Sequence, residues 1–309
     1  MDDPRDQAML DLLGWLRDLG YHFVPPTPAT HARVIARRDA ARDLRDALGW
    51  SLPFPPGAIP DEIVGLLERA DALEPAGGNL RKVTLRVATL DGMLFLHSAY
   101  PTDAADSVFF GPDSYRFVRF LRSEVGVVKG RPKQIVDIGC GSGVGGIATA
   151  RLLGRARALL LDVNPSALRL AAINARHNGI AAETRETSVL DGVDGPLDLV
   201  VANPPFLRDP AHRAYRDGGG MLGAELSLDW ALAATDKLAP GGRMLLYTAS
   251  AIVGGGDGLF QALRDRLPAS ISMRYTELDP DIFGEELERP DYAEVERIAA
   301  VGVVLERPR

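Results

Sequence analysis

Apolar residues at Met9, Leu12, Leu13, Leu16 and Leu19 recur at three- and four-residue spacing, which predicts one amphipathic helix near the start of the chain. The run Pro25-Pro26-Thr27-Pro28 ends it, because proline removes a backbone donor and pushes the preceding residue out of the helical region. A second helix is expected from about Thr30 to Leu48, after which Pro53-Phe54-Pro55-Pro56-Gly57 forces a loop. A third starts at the acidic pair Asp61-Glu62 and stops before Pro75-Ala76-Gly77-Gly78. From Leu80 the period falls to two. Val83, Leu85 and Val87 alternate with Lys82, Thr84, Arg86 and Ala88, and Asp91-Gly92 turns the chain into Met93-Leu94-Phe95-Leu96, predicting a β-hairpin. The segment Val108-Phe109-Phe110-Gly111-Pro112-Asp113-Ser114 then leads into a helix carrying Tyr115, Val118, Phe120 and Leu121.

Beyond Gln134, short β-branched or leucine-rich runs alternate with helical stretches, the pattern of a mostly parallel sheet covered on both faces. Strands are expected at Gln134–Ile138, Ala158–Asp162, Ala182–Thr187, Leu197–Ala202, Arg243–Tyr247, Ser270–Glu277 and Glu296–Glu306. Too little helical sequence separates the last two for a right-handed crossover, so they read as an antiparallel hairpin at one edge. The fold class is therefore α/β and Rossmann-like. A helical N-terminal domain is expected over residues 1–76, a β-hairpin linker region over 77–107 and a catalytic domain over 108–309. There is no internal repeat.

With 309 residues, 46% of them hydrophobic and 25% charged, the chain can bury a substantial core. Its net charge of −7 gives no global attraction to a phosphate backbone. Arg33, Arg37, Arg38, Arg42 and Arg45 recur at helical spacing, but Asp39, Asp43 and Asp46 are interleaved, which reads as a solvated helix face. Cys140 is the single cysteine, so no internal disulfide and no cysteine-based zinc site can form. The longest apolar runs, such as Ala156–Val163, are too short to span a bilayer, and the start Met1-Asp2-Asp3-Pro4 is acidic where a signal peptide is basic. A cytoplasmic location without membrane partners is the expectation. The oligomeric state is unknown at this stage.

Strand Gln134–Asp137 runs into Gly139, Gly141 and Gly143, with Gly145 and Gly146 opening a helix. Residues that tolerate positive φ make this turn, and the missing side chains let a ligand lie against the backbone at the carboxyl end of the strand. Gly141, Gly143 and Gly146 also fit the dinucleotide pattern G-x-G-x-x-G, which keeps a nicotinamide or flavin oxidoreductase in view. Asp137, just before the first glycine, favours a cationic amino-acid group over a pyrophosphate. Asp162 closes the second strand, where a carboxylate can accept from ribose hydroxyls or cap the helix near Pro165, a role Asn164 can also fill.

The fourth strand ends in Asn203-Pro204-Pro205-Phe206. Two prolines lock a rigid turn beyond the strand and aim the Asn203 side chain outward. The Asn203 carboxamide oxygen and the Pro204 carbonyl can together accept both N–H groups of a planar amide or exocyclic amine, and Phe206 can stack on a planar group. Such binding holds the nitrogen lone pair ready for in-line attack on a methyl sulfonium.

The run Asp137-Ile138-Gly139-Cys140-Gly141-Ser142-Gly143, then Asp162-Val163-Asn164-Pro165-Ser166-Ala167-Leu168 with Asn174-Ala175 and Asn178-Gly179, then Asn203-Pro204-Pro205-Phe206, resembles the class I S-adenosylmethionine-dependent methyltransferases. Within them it is most similar to the glutamine N5-methyltransferases of peptide release factors and their small-domain RNA and DNA relatives, over roughly residues 108 to 250. The resemblance implies S-adenosyl-L-methionine as cofactor, no metal, and a protein substrate such as a release factor, or RNA or DNA, as partner. It places Asp137, Gly139, Cys140, Gly141, Gly143, Asp162, Val163, Ser188, Val189 and Asn203 around the cofactor. Asp137 and Gly139 fall by the methionine moiety, Asp162 by ribose, and Ser188 or Asp191 beside adenine. Asn203, Pro204, Pro205 and Phe206 form the catalytic set, Asn203 and Pro204 holding the target nitrogen.

The chain departs from that pattern in two places. Phe206 stands where the release-factor enzymes usually carry tyrosine, and Gly111-Pro112-Asp113-Ser114-Tyr115 replaces their Pro-Glu-Thr-Glu-like segment. Tyr215–Gly223, rich in glycine, reads as a lid or a connector to the helix at Ala224–Leu238. His97, His177 and His212 lack metal-ligand spacing and read as surface or satisfied polar residues.

Overall fold

The computed structural model describes residues 3–126, 132, 134–154, 156–209, 213 and 215–309. The first helix, α1 (Pro4–Asp18), is capped by the Asp3 side chain, which accepts from the Arg5 amide, and it buries Met9, Leu12, Leu13 and Leu16. It stops short of the proline cluster. Gly20, at φ +68°, ends it one turn earlier, and Leu19 is 56% exposed instead of joining the buried face.

The second predicted helix is two. Helix α2 (Pro28–Ile35) and α3 (Leu44–Leu48) are separated by irregular chain, and Asp43 restarts the helix by accepting from the Asp46 amide at 2.8 Å. Asp46 is itself buried, paired with Arg38 and accepting from the Arg42 amide at 3.2 Å. Turning the chain around this carboxylate satisfies more buried polar groups than a continued helix would. The five arginines from Arg33 to Arg45 therefore do not share one helix face.

Helix α4 (Asp61–Arg69) precedes a short antiparallel pair, β1 (Leu73–Pro75) and β2 (Arg81–Val83), and then the hairpin β3 (Leu85–Leu90) and β4 (Met93–Ser98). Leu12, Leu13, Leu16, Ile63 and Leu67 from the helices share one apolar cluster with Val87, Leu94 and Leu96 of the hairpin. Ala167, Leu170 and Ile173, from the later helix α7 (Pro165–His177), complete it.

The remaining elements are α5 (Pro112–Val125), β5 (Gln134–Ile138), α6 (Val144–Leu153), β6 (Arg157–Asp162), α7, β7 (Ala182–Glu186), β8 (Leu197–Ala202), α8 (Glu225–Lys237), β9 (Leu238–Val253), β10 (Gly256–Asp257), α9 (Gly258–Arg266), β11 (Ser272–Asp279) and β12 (Arg297–Glu306). The sheet order is β11-β12-β9-β8-β5-β6-β7, with β10 paired to the end of β9. Strands β7, β6, β5, β8 and β9 are mutually parallel, and β12 runs antiparallel to both β9 and β11. The expected antiparallel pair is present, but only β11 lies at the edge; β12 is inserted inside the sheet. Strand β9 outruns its predicted bounds because β12 pairs along it from Arg243 to Ile252, carrying the ladder through Thr248-Ala249-Ser250.

Alternate residues of the central strands serve opposite faces. Val136, Ile138, Val200, Ala202 and Leu246 pack with Leu228 and Ala231 of α8 and Leu259 and Leu263 of α9. Ile135, Leu199, Val201, Leu245 and Tyr247 pack with Phe117, Phe120 and Leu121 of α5. Burial on both faces accounts for the near-continuous apolar runs of these strands.

Asn174 and Asn178, one turn apart on α7, dock the hairpin onto this layer. The Asn174 side chain accepts from the Leu96 amide at 2.8 Å and donates to the Leu96 carbonyl at 3.0 Å and the Ser142 carbonyl at 2.9 Å. Asn178 donates to the Leu94 carbonyl at 2.9 Å. Leu94 and Leu96, two residues apart, present backbone groups on one side of β4, and side chains at i and i+4 of the helix meet them. Among the described residues no helix is long and apolar enough to cross a membrane.

Candidate active site

The carboxyl ends of β5, β6 and β8 open into a cavity of about 590 Å³. Its wall contains Asp137, Gly139, Cys140, Gly141, Asp162, Val163, Ser188, Val189, Asn203, Pro204, Pro205 and Phe206. Gly143 does not reach the wall; it caps α6 from the left-handed region at φ 81°. Asp191 is exposed and also lies off the wall, so of the two residues considered beside adenine only Ser188 faces the cavity.

Two glycines of the loop differ in what surrounds them. Gly139 has φ +62°, and a β-carbon there would sit 2.4 Å from the ring of Trp230 on α8. Gly141 has φ +52°, and a β-carbon there would meet nothing within 4 Å, so the cavity comes right up to the backbone.

Asp137 is 2% exposed, and its Oδ2 accepts from the Gly146 amide at 2.7 Å in the first turn of α6. Glycine at 145 and 146 lets that turn close on the carboxylate, since a β-carbon at Gly145 would lie 3.0 Å from Asp137 Oδ2. Burial raises the Asp137 carboxyl to about 7, against the opposing pull of the Gly146 amide. Asp162 is also pushed upward by burial. Its Oδ2 accepts from the Gly141 amide at 2.8 Å and its Oδ1 from the Asn164 amide at 2.9 Å. It thus braces the glycine loop and keeps further lone pairs on each oxygen. The cap of α7 is Asn164, which accepts from the Ser166 amide at 2.9 Å.

At the end of β8 the Asn203 Oδ1 is buried without a hydrogen-bond partner. The Phe206 ring meets Tyr247 and Phe283 edge-on, with centroids 6.4 Å and 5.8 Å away. The Tyr247 hydroxyl donates to Asp113 Oδ1 at 2.7 Å, and Asp113, 2% exposed, is pushed above the usual carboxylate range by burial. Val189 holds a positive φ of 51°, a rare conformation for a β-branched residue.

Several wall residues carry no sequence motif. Trp230 is an ordinary apolar residue of α8, and Phe283 follows a turn between β11 and β12. Asp113 and Ser114 stand in the segment that departs from the release-factor pattern, which is the one signal pointing to them.

The glycine-rich stretch after the turn packs tightly against it. The Gly218 amide donates to the Leu207 carbonyl at 2.7 Å, and a β-carbon at Gly218 would lie 1.9 Å from the Gly223 carbonyl oxygen and 2.8 Å from that of Pro205. Arg213 makes two bonds to Asp209, at 2.6 and 2.8 Å, and Arg216 pairs with Glu286. The Tyr215 hydroxyl donates to the Thr102 carbonyl across the cavity mouth.

Among the described residues no group of three or more His, Cys, Asp or Glu is placed to hold a metal ion. His212 lies outside the described residues. His97 is neither at the surface nor satisfied: it is fully buried, with both ring nitrogens unpartnered.

The Rossmann-like sheet with one inserted antiparallel strand, the glycine loop and the Asn-Pro-Pro-Phe turn define a methyltransferase framework. Residues 118–251 match the family described as methyltransferase small domain. The nicotinamide reading left open by the glycine pattern is set aside by this match. A release factor glutamine methyltransferase of Deinococcus radiodurans is 30% identical over 158 residues, 50% of this chain and 55% of that protein. A ribosomal RNA small subunit methyltransferase C of Escherichia coli is 36% identical over 73 residues, 24% of this chain and 21% of that protein. The chain thus spans about half of the first relative's length and about a fifth of the second's. Among solved structures, a methyltransferase from Pyrococcus furiosus aligns with 66% of this chain and 89% of its own at 16% identity, with a TM-score of 0.44.

Proposed function

We propose that this chain is an S-adenosylmethionine-dependent N-methyltransferase acting on a planar nitrogen, with a protein glutamine side-chain amide as acceptor. The carrying observation is the buried, unpartnered Asn203 Oδ1 in the cavity wall. A buried acceptor left unsatisfied is costly, and a bound amide N–H would satisfy it.

The residues fit the cofactor. Gly141 leaves open space against its backbone, Asp162 has lone pairs to spare for ribose hydroxyls, and the buried Asp137 carboxylate suits an ammonium group. When bound, S-adenosylmethionine supplies a methyl group on a sulfonium. Asn203 and the Pro204 carbonyl hold the acceptor amide by its N–H groups, the prolines fix their geometry, and Phe206 lies along the amide plane. This restricts the nitrogen to the approach needed for in-line displacement.

Of two arginines lining the cavity, Arg213 is paired with Asp209 and Arg216 shares Glu286 with Arg289, so both are engaged by carboxylates, which favours a protein acceptor over a phosphate backbone. The second reading, a nucleobase exocyclic amine, draws support from Phe206, whose aromatic neighbours Tyr247 and Phe283 brace it as a stacking surface. Incubation with labelled S-adenosylmethionine and cell extract, followed by separate protease and nuclease digestion, distinguishes the two. Label released by protease supports the amide; label released only by nuclease selects the base.

Asn203→Ala is expected to leave cofactor affinity near wild type while turnover falls by about a hundredfold or more. A loss confined to cofactor binding contradicts the assigned role.

A further inference from the structure

Between Arg33 and Asp46 the chain carries five arginines and three aspartates, a positive segment in a protein of net charge −7. The alternation of signs along the sequence does not survive folding. Asp46 is 6% exposed, paired with Arg38 and accepting from the Arg42 amide, so its charge is turned inward. Asp43 caps α3, its Oδ1 accepting from the Asp46 amide at 2.8 Å. Arg33, Arg37, Arg42 and Arg45 are all exposed, and among the described residues none of their side chains has a carboxylate within 4.0 Å. Four unpaired guanidinium groups thus stand against two exposed carboxylates, Asp39 and Asp43, one of them engaged as a cap.

The fold also gathers these arginines. The turn after α2 continues through bonds from the Arg37 amide to the Val34 carbonyl at 3.2 Å and from the Arg38 amide to the Ile35 carbonyl at 3.0 Å. Arg33 and Arg37, four residues apart, are therefore neighbours on successive turns. The Arg38 guanidinium and the Arg42 amide converge on the one Asp46 carboxylate, and Arg45 is its chain neighbour, so the second half of the segment returns beside the first.

Pro28, the first residue of α2, lines the large cavity, and the eight residues of α2 span about 12 Å. The arginines thus begin one short helix away from the candidate active site. Those inside the cavity, Arg213 and Arg216, are by contrast engaged by Asp209 and Glu286.

We propose that the surface carrying Arg33, Arg37, Arg42 and Arg45 is the landing site for an acidic segment of a protein partner, the polypeptide whose amide is presented at Asn203. Guanidinium forks pair with carboxylates through two parallel hydrogen bonds, and clusters of arginines read acidic motifs. A nucleic acid fits less well, because its backbone is charged along its whole length and would run off so short a patch onto a chain whose net charge is negative. An acidic peptide segment can end where the patch ends. The partner's role as acceptor rests on the protein-amide reading above, whereas the binding is measured without methyl transfer, so failure of either is seen separately.

Fluorescence anisotropy of the full chain with a short labelled peptide of alternating glutamate and glycine, and with a short labelled oligouridylate, tests it. Wild type is expected to bind the peptide more tightly than the RNA, with an affinity that falls as sodium chloride is raised. Replacing Arg33, Arg37, Arg42 and Arg45 together by glutamine is expected to weaken peptide binding by about tenfold or more at unchanged circular dichroism. Arg33→Gln with Arg37→Gln, clear of the Asp46 contacts, is expected to show part of that loss and decides the matter if the fourfold variant does not fold. Arg264→Gln with Arg266→Gln, exposed on α9, is expected to bind like wild type. The proposal is overturned by a wild type that does not bind the peptide, by tighter binding of the RNA, by a fourfold or double patch variant that binds like wild type, or by an equal loss in the α9 variant.

Discussion

Replacing Asn174 with alanine removes one fully buried side chain that makes three hydrogen bonds to backbone, two at Leu96 and one at Ser142. Each bond contributes about 0.5 to 1.5 kcal/mol net, and stranding a buried partner raises that toward ~1–3 kcal/mol. The three together amount to about 3–5 kcal/mol, a large part of the ~5–15 kcal/mol that holds a typical domain folded. Among the described residues β4 pairs with no strand other than β3, so the variant takes away the acceptor that the Leu96 amide uses. Urea unfolding reads the free energy, and hydrogen exchange at the Leu96 amide reads the local bond. The variant is expected to lose stability by the stated amount and to exchange that amide faster than its neighbours in β4. A loss under about 1 kcal/mol, or unchanged Leu96 exchange, refutes the assignment of the asparagine as the clamp between hairpin and loop.

Asp137 makes stability depend on pH in a definite direction. Its carboxyl sits at about 7 in the fold and near 3.9 in an unfolded chain, so the native state retains a proton the unfolded state has lost. This contribution is present below about pH 4 and falls away as pH rises toward about 7, by up to ~4 kcal/mol. Asp137→Asn flattens that slope, and urea midpoints at pH 5 and pH 8 that shift in parallel with wild type rule the idea out. Gly139→Ala and Gly141→Ala each carry a left-handed penalty of about 1–2 kcal/mol. Only the former also collides with Trp230, so it is expected to lower Tm further and to change tryptophan fluorescence. Equal effects at the two positions count against the different surroundings described for them. Gly218→Ala is expected to displace the stretch that packs on the Asn-Pro-Pro-Phe turn, lowering Tm and exposing it to limited proteolysis; a proteolysis pattern like wild type contradicts this.

The residues that announced themselves in the sequence are those whose neighbours in the chain explain them. Strands β5 and β8 match their predicted bounds because both faces are buried over most of their length and β-branched or leucine residues dominate them, Gln134 and Asp198 being the exposed exceptions. The glycine loop and the Asn-Pro-Pro-Phe turn were legible because a strand end followed by glycine or proline has few conformations to choose from. What escaped was set by distant partners. The break between α2 and α3 depends on Asp46 finding Arg38 and the Arg42 amide, which no helical period records. Residues Arg86 and Ala88 alternate with apolar neighbours as though they faced water, yet both are buried, since helices cover one face of the hairpin and Phe110 and α5 the other. Trp230 and Phe283 reach the cavity only because α8 and the β11–β12 connection fold over it.

The position of β12 has a consequence for how the protein is made. During synthesis it emerges after β9 and β11, yet it lies between them, and its ladder to β9 runs from Arg297 to Glu306. Until Glu306 has left the ribosome, the nascent sheet keeps a bare edge on β9 and a detached β11, each able to pair with another chain. Stop codons upstream of Arg297 would therefore leave an aggregation-prone product, even though every residue of the candidate site would already have been translated.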